Sequence, residues 1–281
     1  MRKILATLAA ALLLAVLVAV PATAITDGAP DGDAHPYVGL MVADDADGNP
    51  LWSCSGALIS PRLFLTAGHC AEAPAVHVEI WFASGPIPLA AGFPAPGPGI
   101  CAGITGYPCT GDIGGTPTTH PDYEPERFYY RDLGVVVLDA PRIESAYAAL
   151  PEVEQLDALK MKRGKQDLTF TAVGYGLQKA FPPAAQWKEV NVRLRMVAHP
   201  KLIQINVPGT TGDFSMILSN NAKTGGTCFG DSGGPNLVGT SNVIGGVTSS
   251  GGQTCAGTGG VFRVDRAWSL DWINALLSAH P

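Results

Sequence analysis

The stretch Thr227-Cys228-Phe229-Gly230-Asp231-Ser232-Gly233-Gly234-Pro235 sets one serine among glycines. Glycine carries no Cβ, so a substrate main chain approaching Ser232 meets little steric resistance, as a nucleophile requires. Read alone, the stretch is also an ordinary glycine-rich turn, and two further segments change its weight. Residues 54–70 run from Cys54 through an apolar strand to His69 and Cys70. Residues 131–138 set Asp132 at the mouth of a strongly hydrophobic strand, where a charge is costly unless it is hydrogen-bonded. Singly, these are a turn histidine and a strand-end cap.

Working outward, the 281 residues are 46% hydrophobic and 15% charged, enough to bury a large core and unlike a disordered chain. With 34 glycines and 23 prolines, many turns and short strands are favoured over long helices. Apolar stretches rich in Val, Ile, Thr and Phe predict strands at 37–43, 133–138, 168–173, 190–197, 242–248 and 260–264 of an antiparallel all-β protein. Helical spacing of apolar groups is confined to the tail, 266–278, where Trp268, Leu270, Trp272 and Ile273 predict a closing helix. Residues 84–119 are rich in Gly and Pro and contain Cys101 and Cys109, which reads as a surface insertion pinned by a local disulfide. The net charge is −6 and the one basic run is 160–165, so a nucleic-acid partner has no electrostatic footprint.

An apolar run at 4–20 follows Arg2 and Lys3 and precedes Pro21-Ala22-Thr23-Ala24, the pattern of a secretory signal ending at residue 24. The expectation is an exported chain with no membrane attachment after cleavage. Export suits the six cysteines, an even number fit for three disulfides whose pairing the spacing leaves open. No C-x-x-C pair supports zinc or redox chemistry. The acidic run Asp44-Asp45-Ala46-Asp47-Gly48-Asn49 lacks the glutamate of an EF-hand and reads as a polar hairpin tip. No metal or other cofactor is assigned.

Jointly, the segments resemble the chymotrypsin-like (trypsin-fold) serine protease family. They do so through Thr66-Ala67-Gly68-His69-Cys70, Asp132-Leu133 opening a valine strand, and Gly230-Asp231-Ser232-Gly233-Gly234-Pro235, in His-Asp-Ser order. Ile25-Thr26-Asp27-Gly28 looks like the family's mature N-terminus, His120-Pro121-Asp122-Tyr123 precedes the aspartate strand and 246–251 follows the serine, so nearly the whole mature chain is covered. The resemblance implies an all-β fold of two antiparallel six-stranded β-barrels and a C-terminal helix. The first barrel with its insertion would occupy 25–145, and a linker, the second barrel and the helix 146–281. Departures are Gly68 where a second Ala is usual, the long insertion before Asp132, and Ser250 where an aromatic residue normally walls the substrate cleft.

The same resemblance assigns roles. His69 would be the general base, Asp132 its orienting carboxylate steadied by Ser249, and Ser232 the nucleophile, with the amides of Gly230 and Ser232 as the oxyanion hole. It implies disulfides Cys54–Cys70 and Cys228–Cys255, and with them Cys101–Cys109. The implied substrate pocket has Gly226 at its base, with Thr227, Ser249, Ser250, Gly251 and Gly260 around it. Such an uncharged slot suits a large apolar or aromatic residue before the cut bond. After cleavage at residue 24, the new Ile25 ammonium would pair with Asp231. The function implied is a secreted serine endopeptidase working through an acyl-enzyme, a monomer whose partners are polypeptide substrates and protein protease inhibitors.

Two other classes compete. Gly230-Asp231-Ser232-Gly233-Gly234 also fits the G-x-S-x-G turn of an α/β-hydrolase, but that fold needs acid and histidine after the serine, and only His280 follows here. A non-catalytic binding protein on a protease scaffold is the second, since fold does not dictate function. A serine-directed organophosphate or sulfonyl fluoride separates it from an enzyme.

Overall fold

The computed structural model describes residues 25–97, 99–127, 129–159 and 167–281. The signal segment at 1–24 and the basic run at 160–165 lie outside the described residues.

The first unit is a closed antiparallel barrel. It contains β2 (Val38–Asp44), β3 (Pro50–Leu58), β4 (Leu63–Thr66), β5 (His77–Trp81), β6 (Ile113–Thr119) and β7 (Gly134–Leu138), hydrogen-bonded in the order β2-β3-β4-β7-β6-β5. The second unit is a curled antiparallel sheet. Its strands are β1 (Ala29–Pro30), β8 (Phe170–Gly174), β9 (Met196–Ala198), β10 (Leu202–Ile205), β11 (Ser215–Asn220), β12 (Pro235–Val238), β13 (Ile244–Gly251) and β14 (Gly257–Arg263). Their order is β1-β9-β8-β12-β13-β14-β11-β10, and the helix Ala267–Ala279 follows. This is the all-β architecture with a closing helix, the second sheet having eight strands rather than six.

Burial on both faces explains why several strands read as continuous apolar runs instead of alternating ones. All of β4 is buried, as are Val135, Val136 and Leu138 of β7. The principal core runs from these residues into Val173, Leu237, Val247 and Phe262 of the second sheet, so the two units share apolar packing across their junction. The C-terminal helix reaches back onto the first unit. Trp268 and Trp272 pack edge-on against His120 at 5.5 and 5.2 Å, and the Arg131 guanidinium lies 3.4 Å from the Trp268 ring centroid.

Two expectations are corrected. Residues 113–119, read as the end of the insertion, are the barrel strand β6 between β5 and β7. Its Gly114, Gly115 and Pro117 hide the strand pattern, yet a Cβ on Gly115 would meet Val136 at 2.6 Å, so the glycine is what allows the close strand approach. Of the strand expected at 190–197, only Met196 and Val197 lie in the sheet, as part of β9. Before it, the Gln178 side chain takes the place of a ladder neighbour, donating to the Val192 carbonyl at 2.8 Å and accepting from the Val192 amide at 2.5 Å.

Candidate active site

His69 follows β4 in the one-turn helix Gly68–Ala71, and Asp132 stands just before β7, the strand paired with β4. Adjacent strands thus deliver the two side chains to one place. The Asp132 carboxylate is fully buried. Its Oδ1 accepts the His69 backbone N–H at 3.0 Å, both oxygens face His69 Nδ1 at 3.1 and 3.0 Å, and Oδ2 accepts the Ser249 hydroxyl at 2.6 Å. A carboxylate is an acceptor only, so this arrangement puts the imidazole proton on Nδ1 and leaves Nε2 the unprotonated nitrogen. Burial draws the His69 pKa down, but the Asp132 hydrogen bond and charge, with Glu72 adding to them, leave it raised above the ordinary histidine value.

Ser232 comes from the loop between β11 and β12 of the other unit, and it lines the same cavities as His69. The loop is locked to the first barrel through Ser55. Its amide donates to the Ser232 carbonyl at 2.8 Å, while its hydroxyl donates to the Gly230 carbonyl at 2.8 Å and accepts the Tyr175 amide at 3.0 Å. Gly230 and Gly233 take φ of +93° and +76°, and at Gly233 a Cβ would collide with Ala67 N at 2.7 Å and Ser55 O at 2.6 Å. The Phe229 carbonyl accepts the Leu177 amide at 2.8 Å. In a trans peptide the C=O and N–H point opposite ways, so this bond turns the Gly230 N–H away from Leu177.

Disulfides join Cys54 to Cys70, Cys101 to Cys109 and Cys228 to Cys255. The first brings Cys54, His69 and Cys70 close together, but both sulfurs are spent in the bond and offer no thiolate to a metal.

A cavity of about 350 Å³ beside Ser232 is lined by Thr227, Cys228, Phe229, Ser249, Ser250 and Gly251, among others. Gly226 and Gly260 are not on its wall, which corrects the expected pocket. The space a Gly226 side chain would need is filled by Asn220, whose amide donates to the Thr227 carbonyl at 2.7 Å and accepts the Thr26 hydroxyl at 2.7 Å. The Ser250 hydroxyl likewise stands over Gly260. Gly68 has its own reason: a Cβ there would meet the Tyr123 ring at 2.7 Å, and that tyrosine donates to Glu72 at 2.7 Å.

Asp231 is fully buried, with Oδ1 accepting the Gly176 amide at 2.7 Å and Oδ2 the Cys228 amide at 2.8 Å. Burial pushes its pKa up to about 7 although both amides pull it down. Ile25, whose nitrogen is a peptide amide in the full-length chain, packs with Ala172, Met196 and Ala198, and Thr26 bridges to Gly226. In the full-length chain backbone amides hold Asp231, and the Ile25–Asp231 ion pair expected after cleavage at residue 24 concerns a chain that begins at Ile25. Ser55, Leu177 and Asn220 escaped the sequence reading. Ser55 had one signal, its place beside Cys54, whereas Leu177, in the loop after β8, and Asn220, at the end of β11, had none.

Two β units meet at a cleft, a closed barrel giving a buried aspartate–histidine pair and a curled sheet giving a glycine-flanked serine, and together they define an all-β class of fold with its candidate site at the junction. The trypsin family signature matches residues 116–273, more than half of the chain, and includes Asp132 and Ser232. The chain belongs to the trypsin family. Among solved structures, HL collagenase is similar with a TM-score of 0.65 and 19% identity, covering 90% of this chain and 99% of that one. A mutant of human heparin binding protein is similar with a TM-score of 0.58 and 17% identity, covering 90% of this chain and 97% of that one. At these identities the likeness establishes the fold. Among curated proteins no sequence matches.

Proposed function

We propose that the chain is a secreted serine endopeptidase in which Ser232 attacks the scissile carbonyl, His69 takes the serine proton and returns it to the leaving amine, and Asp132 holds the imidazole. The observation that carries this reading is the buried Asp132 bonded at once to His69 Nδ1, the His69 amide and Ser249, with Ser232 on the same cavity. Attack gives a tetrahedral oxyanion, which the amides of Gly230 and Ser232 receive; loss of the amine leaves an acyl-Ser232 ester that water hydrolyses by the same route in reverse. No carboxylate stands among the residues lining the 350 Å³ cavity, so an arginine or lysine entering it is left unpaired. That favours an apolar or aromatic residue before the cut bond, and an acidic side chain at 226 collides with Asn220 instead of reversing the preference. The trypsin-family membership and three disulfides support an extracellular setting, with the signal segment at 1–24.

The test is stoichiometric labelling with a fluorophosphonate, read by mass spectrometry and followed by cleavage of a peptide library. One label per chain on Ser232, absent in Ser232→Ala and His69→Ala, is expected. The heparin-binding name of one structural neighbour favours a second reading, a non-catalytic binding protein on the same fold. No label and no cleavage by protein starting at Ile25 would establish that reading instead.

A further inference from the structure

The larger cavity at the site, about 520 Å³, touches His69, Gly230 and Ser232 but extends away from Thr227 and Ser250. The two cavities share His69, Phe229 and Ser232, so a peptide whose carbonyl sits at Ser232 has the residue before the cut in the smaller one and its leaving-group side toward the larger. The larger cavity's walls are mixed, and their apolar and aromatic part is Leu40 and Trp52 from the barrel, Tyr175 and Phe229 from the second unit, and Tyr107 from the insertion. Tyr107 is held in place rather than draped over the surface. It packs edge-on to Trp81 at 5.4 Å, carries the Arg193 guanidinium 4.4 Å from its ring centroid, and lies inside the loop closed by Cys101–Cys109. Both ionic groups on this wall are already engaged. Arg193 donates its Nε to the Ile87 carbonyl at 3.0 Å, and Glu72 accepts the Tyr123 hydroxyl at 2.7 Å. The aromatic surface a substrate can meet there comes from Trp52, Tyr107 and Phe229, beside the polar Ser53 and Asn191.

We propose that the insertion is a specificity element that, through Tyr107, builds a subsite for a large apolar or aromatic side chain on the leaving-group side of the cut bond. The inference rests on the endopeptidase reading and names the substrate residues that reading leaves open. An anchored ring opposite Phe229 and Trp52 buries such a side chain without ordering a loop first, which favours binding.

Acyl transfer tests it without relying on the amount of active enzyme. An N-acyl phenylalanine ester forms the acyl-enzyme and releases its alcohol. The amine of an added amino-acid amide then attacks the ester carbonyl, a new amide bond forms, and Ser232 leaves with its proton returned through His69, in competition with water. The ratio of amide to acid product, with glycinamide, leucinamide, phenylalaninamide and lysinamide in turn, reads the leaving-group side alone. Wild type is expected to favour phenylalaninamide over glycinamide by about tenfold or more, the scale of burying one large side chain. Tyr107→Ala should reduce that preference to about twofold and Tyr107→Phe should keep it. Equal partition among nucleophiles, or an undiminished preference in Tyr107→Ala, overturns the proposal while ester turnover upholds the endopeptidase reading. Absence of ester turnover and of serine labelling overturns both.

Discussion

A serine hydroxyl attacks a carbonyl only when a base has its proton, so on the proposed mechanism the charge state of His69 would govern the rate. With the imidazole pKa raised, chiefly by the Asp132 hydrogen bond working against burial, neutral base is lost at a higher pH than for a free histidine. The logarithm of kcat/KM should rise with unit slope on loss of one proton, with a midpoint above about 6.5, and then level off. A pH–rate profile for a peptide amide checks this; a midpoint at or below that value would separate His69 from the Asp132 contact. Ser55 acts one step away. Ser55→Ala leaves the Gly230 carbonyl and the Tyr175 amide without their partner, a cost of about 1 to 3 kcal/mol when such groups are buried. Gly230, whose amide is the proposed oxyanion donor, is then less fixed on its carbonyl side. We expect kcat to fall about tenfold or more, with KM and the pH midpoint little changed and with weaker binding of a peptidyl trifluoromethyl ketone. A variant that lost stability but kept kcat would assign Ser55 to packing alone.

Elements bring these residues within reach, and the C-terminal helix does so from a distance. Trp268 stacks under Arg131, the residue immediately before Asp132, which itself sits at a left-handed φ of 58°. Arg131 Nε and Nη1 are buried without a hydrogen-bond partner, so the indole face is their main compensation. Trp268→Ala should cost about 2 to 4 kcal/mol, combining lost packing with an exposed flaw at Arg131. Urea unfolding at constant m-value measures it, and a cost under about 0.5 kcal/mol would mean that the helix docks by its other residues. Strand β6 teaches a related lesson. Glycine and proline mark it as loop in a sequence, yet the barrel needs small residues where β6 crosses close to β7.

For the molecule as a whole, the site exists only because the two units pack through one core and meet at Ser55 and the Ser232 loop. Asp231 would tie that junction to the proposed cleavage at residue 24. With residues 1–24 attached, burial holds its folded pKa at about 7, above the unfolded carboxylate value of about 3.9. A group of this kind binds more protons folded than unfolded, so its contribution is complete below about pH 4 and is lost as pH rises toward 7. An Ile25 ammonium beside Asp231 would lower that pKa and remove the loss. Chain beginning at Ile25 should therefore keep its Tm between pH 4 and 7 better than full-length chain, and should turn over peptide faster. Parallel thermal scans across that range check it; superimposable curves would exclude the ion pair.

Much of this was legible in the sequence because it depends on local chemistry. Apolar runs, glycine at the serine turn and a charge opening a hydrophobic strand each constrain residues within a few positions of one another. The expected strands at 37–43, 133–138, 168–173, 242–248 and 260–264 and the tail helix all correspond to elements found. The three candidate residues His69, Asp132 and Ser232 were legible as motifs, whereas their distances were not. The tertiary structure decided what filled space: Asn220 behind Gly226, Tyr123 over Gly68, Gln178 in place of a strand, Ser55 against Gly230, and Tyr107 beside the cleft. Most of these bring together segments far apart in the chain, and even Asn220 reaches Gly226 only because the chain turns back between them. Close packing makes the room at one position depend on side chains that no local pattern names, and only the folded chain specifies them.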